Sequence, residues 1–175
     1  MIVEVAGRKA VAVHADLPAA RYACASTLTG STAAVGAGTD TRLVVEIRRN
    51  LGGLIMRALV GGEFRAAAAG ETRFEVCVDA VPFDSGSEPS CDSALGPPLI
   101  PGLPSDFAPA TLAGLTAMAR PLPPGVLRID RAGHDLMGSS EAAFDLAARM
   151  LRVALSAGLA GEDVEAAIRD AYPSR

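Results

Sequence analysis

A histidine, an aspartate and two serines stand close together in one segment of the chain, as His134, Asp135, Ser139 and Ser140. Nucleophilic catalysis uses these side chains when a histidine takes the proton of a serine hydroxyl and a carboxylate orients the histidine. The segment lacks the G-x-S-x-G pattern that exposes a nucleophilic serine at a tight turn. We therefore interpret the serines as helix caps and the preceding residues as a polar turn.

The strongest candidate for ligand binding is His134, in a predicted turn with Gly133 and Asp135. A histidine in such a turn can contact a phosphate or act as a base, because its ordinary pKa lies close to neutrality. The alternative interpretation is an exposed loop histidine without a special role. The other histidine, His14, ends a predicted strand, and we interpret it as structural or exposed.

The other sequence patterns that could indicate a metal or nucleotide site are weak. Cys24, Cys77 and Cys91 are far apart and form no C-x-x-C pair, which predicts buried reduced thiols rather than a zinc site. The chain contains no G-x-x-x-x-G-K-[S/T] loop for a nucleotide. The sequence thus predicts neither a metal nor a cofactor.

The charge and hydropathy of the chain limit its partners. The formal net charge is −4, and no apolar run approaches the length of a membrane span. The N-terminus lacks the pattern of a signal peptide, so we expect a cytoplasmic protein that contacts no membrane. The acidic balance disfavours a large nucleic-acid interface but allows a small one. Arg48 and Arg49, together with Arg42, either form such a basic patch or are a solvated strand end.

An amphipathic helix follows the polar turn, and its apolar residues recur at helical spacing as far as Leu155. Ser139 or Ser140 is expected to cap its N-terminus, and Glu141 adds favourable negative charge there. Gly158 is the expected left-handed stop.

The rest of the chain alternates between predicted strands, turns and shorter helices. Two segments, Arg21–Leu28 and Leu54–Val60, fit a strand or a helix equally well. The Pro-rich stretch Pro82–Leu103 is predicted as a long loop. The expected helices are Ser105 or Asp106 to about Ala119, and Glu162–Ala171. The expected strands are the hairpin of Ile2–Val5 and Lys9–His14, then Arg42–Arg48, a half-solvated antiparallel strand at Glu71–Val81, and Val126–Arg131.

Three motifs in this order resemble domain IV of translation elongation factor G. The first is the strand Phe74–Ala80 with the Val81-Pro82 turn after it, and the second is the helix start Pro104–Ala110 followed by Gly114. The third contains Gly133, His134, Ser139, Ser140, Glu141, Ala143 and Phe144. The similar region covers about residues 65–155 and includes no GTPase domain.

The resemblance implies an α+β fold, a two-layer sandwich of the type shared by ribosomal proteins and this domain, with a mixed sheet and helices on one face. Residues 61–175 would form the domain, and residues 1–60 a β-rich region that completes its sheet. In the family this domain reaches the decoding centre of the small ribosomal subunit. The resemblance therefore implies a stand-alone, non-catalytic module that contacts the ribosome and its RNA. The implied contact residues are Gly133, His134, Asp135, Ser139, Ser140 and Glu141.

A second hypothesis comes from the features that differ from the family. The family's other tip loop is rich in Gly, Arg, Gln and Tyr, whereas the corresponding residues here, from Arg65 to Thr72, are mostly alanine. With the net charge of −4, this favours a protein–protein interaction module or a homo-oligomeric scaffold that has lost ribosome binding.

Overall fold

The computed structural model describes residues 1–83, 86–117 and 120–173. In these residues eight strands form one open, mixed sheet, and three α-helices complete a mixed α/β fold. The strands are β1 Ile2–Val5, β2 Arg8–His14, β3 Cys24–Thr32, β4 Thr41–Leu51, β5 Leu54–Ala66, β6 Thr72–Asp79, β7 Ile100–Pro101 and β8 Gly125–His134. The helices are α1 Ala108–Thr116, α2 Glu141–Leu159 and α3 Val164–Ala171.

The strands lie in the order β1-β2-β4-β5-β8-β6-β3, and the short β7 pairs with the end of β8. Every described pairing is antiparallel except that of β6 with β8. The prediction of an antiparallel strand at Glu71–Val81 is therefore confirmed for the pairing of β6 with β3 and wrong for its pairing with β8. The chain between β6 and β8 contains the long loop and α1, which is enough for the crossover that a parallel pair requires.

Two glycine-containing turns close the hairpins. The β1–β2 turn has left-handed backbone at Ala6 (φ 51°) and Gly7 (φ 72°), and the β4–β5 turn has it at Gly52 (φ 55°) and Gly53 (φ 93°). Such two-residue turns match the twist of the flanking strands. The first hairpin confirms its prediction, and the second shows that the ambiguous segment Leu54–Val60 is strand.

Gly61 and Gly62 lie inside β5, where its pairing with β8 shifts register. A Cβ atom on Gly62 would lie 2.0 Å from the Arg128 carbonyl oxygen, and one on Gly61 would lie 2.6 Å from a Val44 methyl group. The two glycines therefore allow backbones to approach closely at a bulge rather than ending a strand.

The main core lies between the sheet and the helices. Helix α2 packs on β4 and β5, α1 packs on β3 and β6, and α3 contacts β1. On the opposite face, Val44 and Leu59 are buried beneath Cys91 and Leu99 of the long loop, with Ala20 beside them. The middle of β4 and β5 is thus buried on both faces, which explains why these strands lack a clear polar alternation.

The ends of the helices confirm some predictions and correct others. Ser140 caps α2, because its hydroxyl accepts a hydrogen bond from Ala143 N at 3.2 Å. Gly158 does not end α2; the left-handed glycine is Gly161 (φ 69°), beyond the helix. Helix α3 starts at Val164, two residues after the predicted Glu162, because Asp163 caps it.

Helix α1 begins at Ala108 rather than at the predicted Ser105 or Asp106, since the residues before it form a turn in which Phe107 N donates to Pro104 O. Its expected end near Ala119 lies outside the described residues. Within them, the buried Arg152 of α2 donates to the carbonyl oxygens of Leu115, Ala117 (3.1 Å) and Arg120 (2.8 Å). A side chain from another helix therefore satisfies carbonyl groups at the C-terminal end of α1.

Candidate functional site

The first two predicted site residues belong to a strand. Gly133 and His134 end β8, where they pair with Pro101 and Ile100 of β7. Only 4 % of His134 is exposed. The sequence-based placement of His134 in an exposed turn is therefore wrong, because β8 continues past its predicted end at Arg131 to meet β7.

The surroundings of His134 keep its ring neutral. Nδ1 lies 3.3 Å from Gly102 O, the Phe83 ring is 5.4 Å away, and Nε2 is buried without a hydrogen-bond partner. Burial lowers the pKa of His134, although its contacts with Gly102 O and nearby Asp79 oppose this. A buried neutral imidazole offers a phosphate neither charge nor access.

Residues 135–139, here called the tip turn, connect β8 to the cap of α2. Asp135 Oδ1 accepts hydrogen bonds from Met137 N (2.9 Å) and from Gly138 N. Ser139 Oγ accepts from Asp135 N at 3.0 Å and donates to Arg57 O at 2.8 Å. Arg57 N in turn donates to Gly138 O at 2.8 Å. The side chains of Asp135 and Ser139 thus fold the turn and attach it to β5.

Arg57 extends this attachment into a buried polar network. Its guanidinium donates to Asp135 Oδ2 (2.8 Å), Ser93 Oγ (2.9 Å) and Pro97 O (2.6 Å). It also lies 3.7 Å from the carboxylate of Glu46, which is fully buried and accepts hydrogen bonds from Ser93 Oγ and from Ala94 N. One cation therefore joins the tip turn, two strands and the long loop.

The last two predicted site residues act at the start of α2. Ser140 is the cap, and Glu141 is an exposed residue of the first turn, where its charge suits the helix dipole. The structure therefore brings five of the six predicted residues into hydrogen bonds or pairings that shape the tip turn and its two flanks.

The tip turn lies beside the β4–β5 turn, and the β1–β2 turn lies at the same end of the sheet. This end of the sheet is called the tip end. Large apolar side chains are exposed there. Leu54 is 75 % exposed and Met137 95 %, and Ile55 and Leu136 are also exposed. These four residues are named the apolar tip. No sequence pattern had indicated that they would form an exposed apolar surface.

A groove of about 730 Å³ lies at the tip end beneath the β1–β2 turn. Its cationic lining consists of Arg8, Lys9, Arg48 and Arg49, and no described residue that lines it is acidic. Arg49 lies 6.0 Å from the centre of the Tyr172 ring, and its Nη2 is buried without a hydrogen-bond partner. The groove lined by these four cations is named the basic groove.

The predicted basic patch thus has different members. Arg42 does not join Arg48 and Arg49, because it pairs with Asp130 at 2.8 Å and Glu63 at 3.6 Å. Its place is taken by Arg8 and Lys9, which β2 brings beside β4. Arg8 and Lys9 start β2, just before the residues Val11–His14 that pair with β4.

The described residues contain no group of three or more His, Cys, Asp and Glu side chains suited to holding a metal ion. Among the described helices, none has the length and apolar character needed to cross a membrane.

Comparison of the chain with models of protein families, with curated proteins and with solved structures found no match. The function is therefore inferred from the geometry of the site and from the sequence motifs.

Proposed function

We propose that this protein is a non-catalytic, cytoplasmic binding module with a fold of the elongation factor G domain IV type, and that its tip end binds ribosomal RNA. The observation that carries the proposal is the basic groove. Four cations line this groove and its described lining contains no carboxylate, although the Arg48 guanidinium also donates a hydrogen bond to Leu95 O at 2.7 Å.

The chemistry of the groove suits a phosphate backbone. Phosphate contacts from Arg and Lys supply most of the affinity of such complexes and release bound counterions. Arg49 supplies positive charge at the groove, and its position against the Tyr172 ring holds the side chain there, although its Nη2 is itself buried. Because the whole chain carries a net charge of −4, the attraction for RNA is confined to this surface.

The six residues predicted from the resemblance support the proposal as positioning residues. Asp135 and Ser139 hold the tip turn against β5, and Ser140 starts the helix that follows. Gly133 and His134 end β8, the strand from which the turn departs. In this proposal the RNA contacts are made by the basic groove.

The test is co-sedimentation with small ribosomal subunits across a salt series. Wild-type protein is compared with the variant Lys9→Gln/Arg49→Gln and with a control, Arg65→Gln/Arg73→Gln. The control removes two exposed arginines from strand ends away from the groove, so both variants have the same net charge. We expect the groove variant to bind more weakly and to reduce the slope of log K against log salt by about 2.

The control variant is expected to bind like the wild type. Absence of co-sedimentation at every salt concentration would overturn the proposal. Equal loss of binding by both variants would overturn the assignment of the contact to the basic groove.

The apolar tip favours a second candidate function, in which the same end of the molecule binds a protein or a second copy of this chain. Exposed Leu, Ile and Met side chains that cluster on one surface are typical of such contacts. Light scattering across a concentration range tests self-association. If it occurs through this surface, the mass will rise with concentration and Met137→Asp will restore the monomer. A concentration-independent monomer excludes the homo-oligomer.

A further inference from the structure

A second site lies on strands β3 and β6, where two cysteines line one pocket. Cys24 and Cys77 share an open pocket of about 550 Å³ with Tyr22 and Arg128. Cys24 is paired with Asp79 and Cys77 with Thr27, and the register shifts between Cys24 and Ser26. Cys24 is therefore opposite a residue two positions from Cys77, so the two cysteines are diagonal neighbours in the ladder and line the same pocket.

The two thiols differ in access. Cys24 is exposed, which corrects the prediction that all three cysteines are buried, whereas Cys77 is buried. The Cys24 Sγ lies 3.3 Å from Ser26 O and 3.6 Å from Thr27 Oγ1. Beside Cys77, the Tyr22 hydroxyl donates to the Cys77 carbonyl oxygen at 2.6 Å. An incoming reagent therefore reaches Cys24 first.

Their protonation also differs. Burial raises the pKa of Cys24, but interactions with the Cys77 side chain, Thr27 and Arg128 outweigh this and lower it. Burial, followed by the interaction with Cys24, raises the pKa of Cys77 to about 11. Cys24 thus loses its proton first, while Cys77 keeps its own. The thiolate is the nucleophilic form of cysteine.

We propose that Cys24 and Cys77 form a peroxide-reactive thiol pair, in which the exposed Cys24 is the nucleophile and the buried Cys77 resolves the product. This site is separate from the basic groove and does not depend on the proposed function. The third thiol, Cys91, belongs to the long loop, is buried against Val44 and Leu59, and takes no part.

The reaction consumes one hydroperoxide. The Cys24 thiolate attacks the outer oxygen, an S–O bond forms and the O–O bond breaks, and the remaining oxygen leaves as an alcohol or water after taking a proton. The sulfur is now a sulfenic acid, oxidised by two electrons. Cys77 then attacks this sulfur, the S–S bond forms, and the hydroxyl group leaves as water with the Cys77 proton. A dithiol restores both thiols by exchange.

The experiment treats the folded protein with hydrogen peroxide and maps its peptides by mass spectrometry without reduction. We expect a linked peptide that contains Cys24 and Cys77, with the loss of two hydrogen atoms. In Cys77→Ser the reaction should stop at the sulfenic acid of Cys24, which dimedone traps. Separately, alkylation by iodoacetamide at neutral pH should label Cys24 at least about tenfold faster than Cys91, because thiolate character and exposure control the rate.

The wild-type protein alone can overturn the proposal, so a folding defect in a variant does not matter. If peroxide produces no Cys24–Cys77 peptide, or links Cys24 only between two molecules, Cys77 is not the resolving residue. If the alkylation of Cys24 reaches half its maximum rate at about pH 8.5 or above, as for an ordinary thiol, Cys24 is not an activated nucleophile. Arg128→Gln should raise that midpoint if the guanidinium stabilises the thiolate.

Discussion

Arg57 is a buried cation on which several parts of the molecule depend. Only 4 % of the residue is exposed, and its partners come from the tip turn, the long loop and β4. Desolvation makes such a charge costly unless its donors find acceptors. Nη1 and Nη2 of Arg57 do so, whereas Nε is buried without a hydrogen-bond partner. The arrangement therefore fixes one geometry of the tip end.

We predict that Arg57→Met lowers the free energy of unfolding by about 3–5 kcal/mol, because it leaves the carboxylate of Glu46 buried without its cation. The matched control is Arg65→Met, at a side chain that is 72 % exposed, where a change within about 0.5 kcal/mol is expected. Urea unfolding at neutral pH measures both. An Arg57→Met protein as stable as the wild type would show that the network contributes little. Adding Glu46→Gln to Arg57→Met should recover part of the loss.

The buried His134 predicts a dependence of stability on pH. Its pKa in the folded protein is lowered below the ordinary value of about 6.5. The unfolded chain therefore binds a proton that the folded chain does not, and stability falls as the pH decreases through and below 6.5. We expect His134→Gln to lose less stability than the wild type between pH 7.5 and pH 5. Parallel pH curves for the two proteins, from urea midpoints, would contradict the prediction.

At the scale of the elements, close backbone contacts decide how the strands fit together. The glycines inside β5 permit its bulge against β8, and Arg152 joins α2 to the end of α1. Each feature depends on another element: the glycines of β5 meet β8, and Arg152 of α2 meets the end of α1. The tolerance of a glycine to substitution therefore depends on what its backbone meets.

Two glycine-to-alanine substitutions test this dependence, because they make the same chemical change in different surroundings. In Gly62→Ala the new Cβ would lie 2.0 Å from a backbone oxygen of β8, and the resulting shift should cost about 1–3 kcal/mol. In Gly158→Ala the Cβ meets only a Val164 methyl group at 3.8 Å, and a helical alanine should stabilise by about 0.5–1 kcal/mol. Thermal and urea unfolding should show opposite signs. The same sign for both would refute the role given to the bulge.

At the scale of the whole molecule, the strands of the first 66 residues and those of the later chain share one sheet. Strand β5 crosses residues 60 and 61 without interruption, and it joins β4 to β8. Helix α2 packs on both β4 and β5. Its apolar face therefore uses residues from both sides of the predicted domain boundary.

We predict that a fragment of residues 61–175 does not fold by itself, because it would leave the α2 face and one side of β8 uncovered. The measurement is a thermal unfolding curve by circular dichroism, with the full chain as the control. A cooperative transition in the fragment close to that of the full chain would contradict this prediction and support an independent domain.

Much of the local structure was predictable from the sequence. The Ser140 cap, the apolar face of α2, the first hairpin and the strand regions around β4, β6 and β8 depend on neighbouring residues, whose spacing is visible in the chain. The order of the longer elements in the second half was predictable for the same reason, whereas the short β7 lies in the stretch predicted as a long loop.

The candidate site was predictable only in part. Residues 135–139 do form a turn before a capped helix, but Gly133 and His134 end β8. The side chains of His134, Asp135 and Ser139 face Gly102, Arg57 and the turn itself rather than solvent. The exposure of Met137 and the meeting of Arg8 and Lys9 with Arg48 and Arg49 followed no local pattern.

The sequence by itself determined the main helices and most strands, because hydrogen bonds and side-chain contacts within an element are set by residues a few positions apart. It left Leu54–Val60 open between strand and helix, and pairing with β4 decided for strand. Only the tertiary structure decided that β6 runs parallel to β8, that His134 is buried, and that Cys24 lies beside Cys77. These facts depend on strand order and register between distant segments. Burial and pKa follow from what those segments cover, which no local spacing specifies.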